Sequence, residues 1–279
     1  MTEEAARAFV PGHVTGFFSV HRPENPDPLV AGSRGGGVAL SDGVTATVSP
    51  AAERSISFGG ERIAMDAPEN VLATLGVDAR VEIETPLPLG TGFGVSGAAA
   101  LGTALAVNAA FDRAHTENTL VEIAHAAEIE AGTGLGDVVA QARGGVPLRL
   151  EPGGPGTGEL DGIPAAGRIE YVSFGSLSTA DVLGGRTDEI TEVGERALTD
   201  LREEPTIERF MAVSRTFARE TGLLTPQVEE TIADVTGAGG EAAMGMLGET
   251  VVSLGTGLTD AGYDPAVCRI YPPGATLAD

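Results

Sequence analysis

The feature that most constrains this chain is a glycine-rich turn followed at once by a long run of helix-forming residues. Residues 86–97 read PLPLGTGFGVSG, and residues 98–111 continue as an alanine-rich segment. Glycines at every second position (Gly90, Gly92 and Gly94) allow the backbone to curl around an anion, and the N-terminus of the following helix adds a partial positive charge. The stretch is therefore typical of a phosphate-binding loop.

Two better-known glycine signatures compete for the same residues. Residues 92–97 fit G-x-G-x-x-G, the dinucleotide-binding fingerprint, and the alternating residues 80–85 before them predict a strand. That fingerprint needs a second parallel strand, whereas residues 98–111 lead into another helical stretch at 117–131, so a nicotinamide-dependent dehydrogenase is not favoured. A Walker-type loop needs a lysine, and all 17 Lys+Arg residues of this chain are Arg.

Charge and composition narrow the classes of protein further. A formal net charge of −23 argues against nucleic acid and anionic membranes as partners. An acidic chain with arginine and no lysine indicates adaptation to high intracellular salt, where screening makes self-repulsion tolerable. The sequence contains no apolar run of about 20 residues, no basic signal-peptide start and one cysteine, Cys268, so we expect a cytoplasmic protein without a disulfide.

The pattern along the chain predicts an α+β protein of two domains, with a first domain at residues 1–160 and a second at 161–279. The boundary is placed in residues 151–166, which hold five glycines and three prolines and are interpreted as a surface loop or hinge. In the second half, alternation and helical periodicity predict strands near 168–174, 249–254 and 266–270 and helices near 187–201, 207–221 and 225–236.

Further motifs accompany the phosphate loop. Residues 10–14 read VPGHV, residues 32–35 read GSRG, and a predicted helix carrying His125 and Glu128 leads into the turn TGLGD at 133–137. Near the C-terminus, residues 244–249 (MGMLGE) precede a predicted strand, whereas TGAGG at 236–240 is predicted to end the preceding helix. With residues 88–97, this set resembles the GHMP kinase superfamily, and most closely its archaeal pantoate kinases.

The resemblance implies a two-domain GHMP kinase-like fold, with an N-terminal ribosomal-protein-S5-like βαβ domain and a C-terminal ferredoxin-like α/β layer. It also implies ATP- and Mg²⁺-dependent phosphorylation of the primary hydroxyl of pantoate to 4-phosphopantoate, on the archaeal route to coenzyme A. The chain departs from the usual pattern at His13, where most GHMP kinases carry a lysine, and His13 is interpreted as structural.

The same resemblance assigns roles to individual residues. Asp137 would orient or deprotonate the acceptor hydroxyl, and Glu128 with Ser96 would bind Mg²⁺, with Glu130 as the alternative to Glu128. The ATP-binding residues would be Pro88, Gly90, Gly92, Phe93, Gly94, Val95, Ser96 and Gly97. The pantoate-binding residues would be Ser33, His125, Arg149 and Arg186, with Arg149 the best partner for the carboxylate because a guanidinium binds it with two hydrogen bonds.

Two other interpretations stay open at this stage. A GHMP kinase acting on another small hydroxy acid, such as a homoserine- or mevalonate-like acceptor, carries the same loop and acidic residues. A non-catalytic GHMP-like metabolite sensor shares the fold, although Ser96, Glu128 and Asp137 speak against it. The sequence also leaves the oligomeric state open, with a homodimer among the alternatives.

Overall fold

The computed structural model describes residues 5–22, 27–176 and 184–278. Within these ranges the chain forms two sheets flanked by helices, which confirms the predicted α+β class. The strands are β1 (Ala6–His21), β2 (Gly32–Pro50), β3 (Ser55–Phe58), β4 (Glu61–Arg62), β5 (Ala79–Glu84), β6 (Val146–Glu151), β7 (Glu159–Ile163), β8 (Arg168–Ser176), β9 (Ala242–Gly245), β10 (Gly248–Leu254), β11 (Ala266–Arg269) and β12 (Thr276–Ala278). The helices are α1 (Asp66–Leu75), α2 (Val95–Ala110), α3 (Glu117–Ala131), α4 (Asp137–Arg143), α5 (Thr187–Glu203), α6 (Ile207–Glu220), α7 (Pro226–Gly237) and α8 (Gly257–Asp260).

The first sheet is organised around the long antiparallel pair β1 and β2. Its strand order is β12-β1-β2-β5-β3-β4, and β6 pairs with the free part of β2 and with β7. The register between β1 and β2 shifts at Pro11/Gly12, where β2 has the extra residues Ser41 and Asp42, and again at Thr15/Phe17, where β1 has the extra residue Gly16. β3 and β5 pair in parallel, whereas β3 pairs with β4, and β5 with β2, in antiparallel orientation.

The alanine-rich helix predicted after the phosphate loop is α2, and it lies directly on β1 and β2. Small residues make this close packing possible: a Cβ on Gly102 would come within 2.9 Å of the Ala46 Cβ on β2. α1 and α3 pack against α2. Since the chain passes from α2 to α3 with no strand between them, the βαβ unit of a dinucleotide-binding fold is absent at this point.

The second sheet is antiparallel, in the order β11-β8-β10-β9. The three helices predicted in this half are found as α5, α6 and α7; α7 contacts β9 and β10, while α5 contacts β1. After β11 the chain returns to the first sheet, where β12 pairs with β1. No helix in the described ranges is long and apolar enough to cross a bilayer.

The interpretation of residues 151–166 as a loop or hinge is wrong in part, because β7 lies within them. β7 pairs antiparallel with β6, from Val146 opposite Ile163 to Glu151 opposite Glu159, and Ile163 is buried. Strand formation here satisfies the backbone of β6, whose other edge pairs only with the start of β2. The boundary predicted after residue 160 therefore falls inside β7, and the chain passes to the second sheet between β7 and β8.

Candidate active site

The phosphate loop lies between β5 and α2 and takes a backbone path that its glycines permit. The φ angles of Gly90, Gly92 and Gly94 are +78°, +89° and +63°, all in the region that favours glycine. Close packing imposes a second requirement, since a Cβ on Gly92 would lie 2.7 Å from the carbonyl oxygen of Met246. The alternation of glycines seen in the sequence is therefore a backbone requirement of this turn.

Other elements hold the loop through its carbonyl groups. Thr250 Oγ1 donates a 2.8 Å hydrogen bond to the Thr91 carbonyl. The backbone amide of His13 donates a 2.9 Å hydrogen bond to the Phe93 carbonyl. Gln141 Nε2 donates a 2.9 Å hydrogen bond to the Gly94 carbonyl. Among the described residues, none accepts a hydrogen bond from the backbone N–H groups of residues 90–97. The loop and the N-terminus of α2 thus present unpaired amides, as an anion site requires.

A cavity of about 710 Å³ opens in front of these amides. Most of the residues assigned from the sequence line it: Ser33, Gly90, Gly92, Phe93, Gly94, Val95, Ser96, Glu128, Asp137 and Arg149. Met246 and Leu247 line it too, in the turn between β9 and β10. The sequence predicts that residues 244–249 form the glycine-rich loop before a strand and that residues 236–240 end a helix. The structure agrees with both, since residues 236–240 lie at the end of α7 and the turn at Met246 and Leu247 lines the cavity.

Asp137 projects into the cavity from the start of α4. The sequence placed it in a turn, whereas it is the first helical residue after Gly136. Its side chain is 21% exposed, and His13 Nδ1 donates a 2.7 Å hydrogen bond to its Oδ1. Burial by itself would raise the pKa of Asp137, but the hydrogen bond from His13, the charge of Arg149 and a hydrogen bond from Thr15 outweigh it and lower that pKa. Asp137 is therefore held as a carboxylate.

His13 is fully buried on β1, next to the register shift between Pro11 and Gly12. Burial is the largest influence on its pKa and lowers it, although Asp137 acts in the opposite direction. The imidazole is thus neutral near pH 7, with its proton on Nδ1 facing the carboxylate. The sequence interpretation of His13 as structural missed this contact, since His13 and Asp137 lie 124 positions apart.

Glu128 lies in the last turn of α3 and is 1% exposed. Burial raises the pKa of its carboxyl well above the ordinary value, and the charge of Asp137 raises it further; the Val138 amide and Arg149 offset only part of this. Neither oxygen has a well-formed hydrogen bond. Glu130, the alternative metal ligand, is exposed and does not line the cavity. A buried carboxyl group without a well-formed hydrogen bond is a natural ligand for a cation, whose charge would hold the group in its ionised form.

Arg149, on β6, and Ser33, on β2, form a buried pair at the inner end of the site. They are 2% and 4% exposed, and Arg149 Nε donates a 3.1 Å hydrogen bond to Ser33 Oγ. Burial lowers the pKa of Arg149 and the carboxylates of Asp137 and Glu128 oppose this, yet a guanidinium stays charged at neutral pH. Its NH1 group has no partner among the described residues, so it can bind a further anion.

Four residues assigned from the sequence do not line this cavity. The Nε2 of His125 donates a 2.9 Å hydrogen bond to the Ala31 carbonyl inside the protein. The guanidinium of Arg186 bonds to Glu189 and to the Thr221 carbonyl. The other two are Pro88 and Gly97, which belong to the loop and flank its lining residues. His125 and Arg186 are therefore engaged elsewhere in this structure.

Replacement of Gly134 by alanine should lower the activity by about 10²-fold if the reaction uses Glu128, because a shift of about 1 Å in a group that the reaction needs has effects of this size. The new Cβ would overlap Glu128 Oε1 and lie 2.8 Å from Oε2, while the φ of Gly134 is one that alanine accepts. Steady-state kinetics measures the effect. Gly237→Ala is the matched control, since nothing lies within 4 Å of its Cβ position. Wild-type kcat in Gly134→Ala would show that the position of Glu128 is unimportant.

Comparison with known proteins gives consistent similarities. A model of the GHMP kinases N terminal domain matches residues 62–145. The pantoate kinase of Thermococcus kodakarensis is 39% identical over 239 residues, which cover 80% of this chain and 78% of that protein. The pantoate kinase of Methanocaldococcus jannaschii is 33% identical over 275 residues, 94% of this chain and 99% of that protein. A solved phosphotransferase related to the CoA biosynthesis pathway aligns with a TM-score of 0.86 at 32% identity, over 99% of each chain.

Proposed function

Since this chain belongs to the GHMP kinases and, among them, to the pantoate kinase family, we propose that it transfers the γ-phosphoryl group of ATP to the primary hydroxyl of pantoate. The product is 4-phosphopantoate, an intermediate for coenzyme A biosynthesis. The observation that carries the proposal is the arrangement of Asp137, which His13 holds as a carboxylate in the same cavity that the unpaired amides of residues 90–97 face.

The loop supplies the site for the triphosphate of ATP. Its N–H groups and the positive end of α2 neutralise phosphate charge without lysine, which this chain does not contain. Preorganised donors of this kind are what phosphoryl transfer requires, because the reaction depends mainly on positioning and charge stabilisation.

Asp137 serves as the group that receives the acceptor's proton. The primary hydroxyl oxygen of pantoate forms a bond to the γ-phosphorus while the bond from that phosphorus to the β,γ-bridging oxygen breaks and ADP leaves. The hydroxyl proton passes to the Asp137 carboxylate. Because its low pKa makes Asp137 a weak base, its larger contribution is to orient the hydroxyl in line with the phosphate.

Arg149 and Ser33 provide the recognition of the acceptor. The free NH1 group of Arg149 can bind the pantoate carboxylate, and the Ser33 hydroxyl lies 3.1 Å from Arg149 Nε in position to contact the same acid. A small hydroxy acid is therefore favoured over a neutral alcohol, because a neutral acceptor would leave this buried guanidinium unpaired.

Glu128 and Ser96 would hold Mg²⁺, and the residues present fit that ion. Both oxygens of Glu128 are buried and lack well-formed hydrogen bonds, and Ser96 adds a hydroxyl at the edge of the same cavity. When bound, Mg²⁺ neutralises charge on the transferred phosphate. Since the described residues hold no group of three or more His, Cys, Asp or Glu suited to a metal, the other ligands would be phosphate oxygens and water.

The direct test mixes the purified protein with ATP, Mg²⁺ and one alcohol at a time: pantoate, homoserine or mevalonate. Release of ADP with pantoate, and a ³¹P signal from a phosphate on its primary hydroxyl, are the expected results. Turnover of homoserine or mevalonate in place of pantoate would overturn the choice of acceptor. Binding of pantoate without any turnover would favour the metabolite sensor instead.

Replacement of His13 by alanine should lower kcat by about tenfold, because Asp137 loses the donor that orients it. It should also move the acid limb of the kcat–pH profile to higher pH. Asp137 acts as a carboxylate, its pKa is lowered in the folded protein partly by His13, and removal of His13 raises that pKa. His13→Asn, whose side-chain N–H can replace Nδ1–H, should keep the acid limb closer to that of the wild type. An unshifted limb in His13→Ala would contradict the assigned contact.

A further inference from the structure

α4 carries a second polar side chain on the face that bears Asp137. Gln141 follows Asp137 by four residues, one helical turn, and is fully buried. It does not line the cavity, and the reaction described above gives it no role. A buried polar side chain is normally retained for the hydrogen bonds that it makes, so the contacts of the Gln141 amide indicate what this residue does.

The contacts of Gln141 lie on the phosphate loop. Its Nε2 donates a 2.9 Å hydrogen bond to the Gly94 carbonyl. A Cβ on Gly94 would lie 2.9 Å from that nitrogen and 3.2 Å from Cβ and Cγ of Asp137. The same loop residue is thus packed against both polar side chains of α4.

The other half of the Gln141 amide makes no hydrogen bond with the described residues. Its Oε1 is buried and without a partner. Because a carbonyl can only accept, the bond to Gly94 requires the –NH₂ end of the amide there and leaves Oε1 unpaired. The bond to Gly94 is therefore the only hydrogen bond that the Gln141 side chain makes with the described residues, and its acceptor belongs to the loop.

The bond to Gly94 also sets the direction of the next amide. In a trans peptide the C=O of one residue and the N–H of the next point in opposite directions. Gln141 and the Ala98 amide both donate to the Gly94 carbonyl behind the loop. The N–H of Val95, a cavity-lining residue, therefore points the other way, towards the space in front of the loop.

We propose that Gln141 is a positioning residue of the phosphoryl transfer: it fixes the Gly94–Val95 peptide so that the Val95 amide faces the nucleotide phosphates, and it holds the loop at a constant distance from Asp137. The inference rests on the proposed function, because it takes the anion at the loop to be a nucleoside triphosphate. Gln141 touches neither nucleotide nor acceptor and acts through the loop.

The test compares Gln141→Met, which keeps the length of the side chain without a donor, with Gln141→Glu, which keeps its shape as an acceptor. Thr103→Val on α2 is the control, since Thr103 is also fully buried with an unpaired oxygen but lies away from the cavity. Titration calorimetry with ATP and Mg²⁺, in the absence of pantoate, reports nucleotide affinity. Kinetics then gives kcat and the KM of each substrate.

Gln141→Met should bind ATP about tenfold more weakly, with lower kcat and a KM for pantoate within about twofold of the wild type. Gln141→Glu should bind ATP more weakly as the pH rises and its buried carboxyl ionises, because the ionised form has no donor for Gly94 and adds negative charge behind the loop. Thr103→Val should bind ATP like the wild type. Unchanged ATP affinity in Gln141→Met, whatever its thermal stability, would overturn the positioning role.

A second measurement uses the wild-type protein and so does not depend on the folding of a variant. Amide hydrogen exchange resolved at Val95 should slow when ATP and Mg²⁺ are added, since the N–H becomes bonded to phosphate. Exchange at Val95 that ATP leaves unchanged, despite measurable ATP binding, would overturn the inference about Gln141 alone. A wild-type protein that binds no ATP would overturn the proposed function itself.

Discussion

Replacement of Asp137 by asparagine should lower kcat by about 10²–10⁴-fold, the range over which a positioned acid or base contributes. The substitution keeps an oxygen that can accept the hydrogen bond from His13 Nδ1, so the local geometry is retained. It removes the negative charge and the capacity to take up the acceptor proton. ATP affinity should stay within a few-fold of the wild type, because the loop amides are untouched.

Single-turnover kinetics at saturating ATP and pantoate measures this loss directly, and calorimetry with ATP checks that nucleotide binding survives. Asp78→Asn is a suitable control, since Asp78 is an exposed residue that pairs with Arg54 on the surface. Asp137→Asn with kcat within about threefold of the wild type would remove Asp137 from the reaction, and the proposed mechanism would have no group to receive the hydroxyl proton.

Replacement of Arg149 by methionine should lower kcat/KM for pantoate by about 10²-fold. Hydrogen bonds to charged groups contribute about 1.5–3 kcal/mol, and about 1.4 kcal/mol corresponds to a factor of ten. Arg149 is 2% exposed, so water cannot easily replace it beside the substrate carboxylate. Methionine preserves most of the volume of the side chain, which limits the loss of packing.

A matched pair of acceptors separates recognition of the carboxylate from general damage. 2,2-Dimethylpropane-1,3-diol keeps the primary hydroxyl and the dimethyl carbon of pantoate but lacks its carboxylate. Arg149→Met should lose most of the preference of the wild type for pantoate over this diol. Arg80→Met, at an exposed position, should keep that preference. An undiminished preference in Arg149→Met would mean that another cation recognises the acid.

The phosphate loop shows how much local sequence can predict. Its path depends on positive φ angles at Gly90, Gly92 and Gly94, and only glycine adopts such angles without strain. The spacing of these glycines therefore carries the shape of the turn, and the alanine run after it carries the helix. In the same way, helical periodicity located α5, α6 and α7 to within a few residues.

β7 shows where this reasoning stops. Its residues include Leu160 and Ile163 but stand among glycines and prolines, and the composition of residues 151–166 predicted a loop. The strand forms because β6 offers an edge to pair with, which is a property of the assembled sheet. The amino-acid composition of a short segment says little about whether another strand of the folded sheet will pair with it.

In the candidate site, too, the sequence predicted some features and missed others. Motif spacing and family resemblance indicated the loop, Glu128, Asp137 and Arg149, and the fold brings these residues to one cavity. They also indicated His125, whose ring is buried against the Ala31 carbonyl. Sequence spacing alone does not report whether a polar side chain on a helix faces a cavity or the protein interior.

The amino-acid sequence by itself specified the features that depend on residues close together in the chain. These are the backbone of the phosphate loop, the type of most helices and strands, and the chemical groups available for catalysis. The folded chain alone decided which of those groups meet, how deeply they are buried and therefore how they are charged. His13 and Asp137 interact because β1 and α4 pack together, although the two residues are 124 positions apart. Burial and through-space charge, which set the pKa values of His13, Glu128 and Asp137, exist only once those elements have packed.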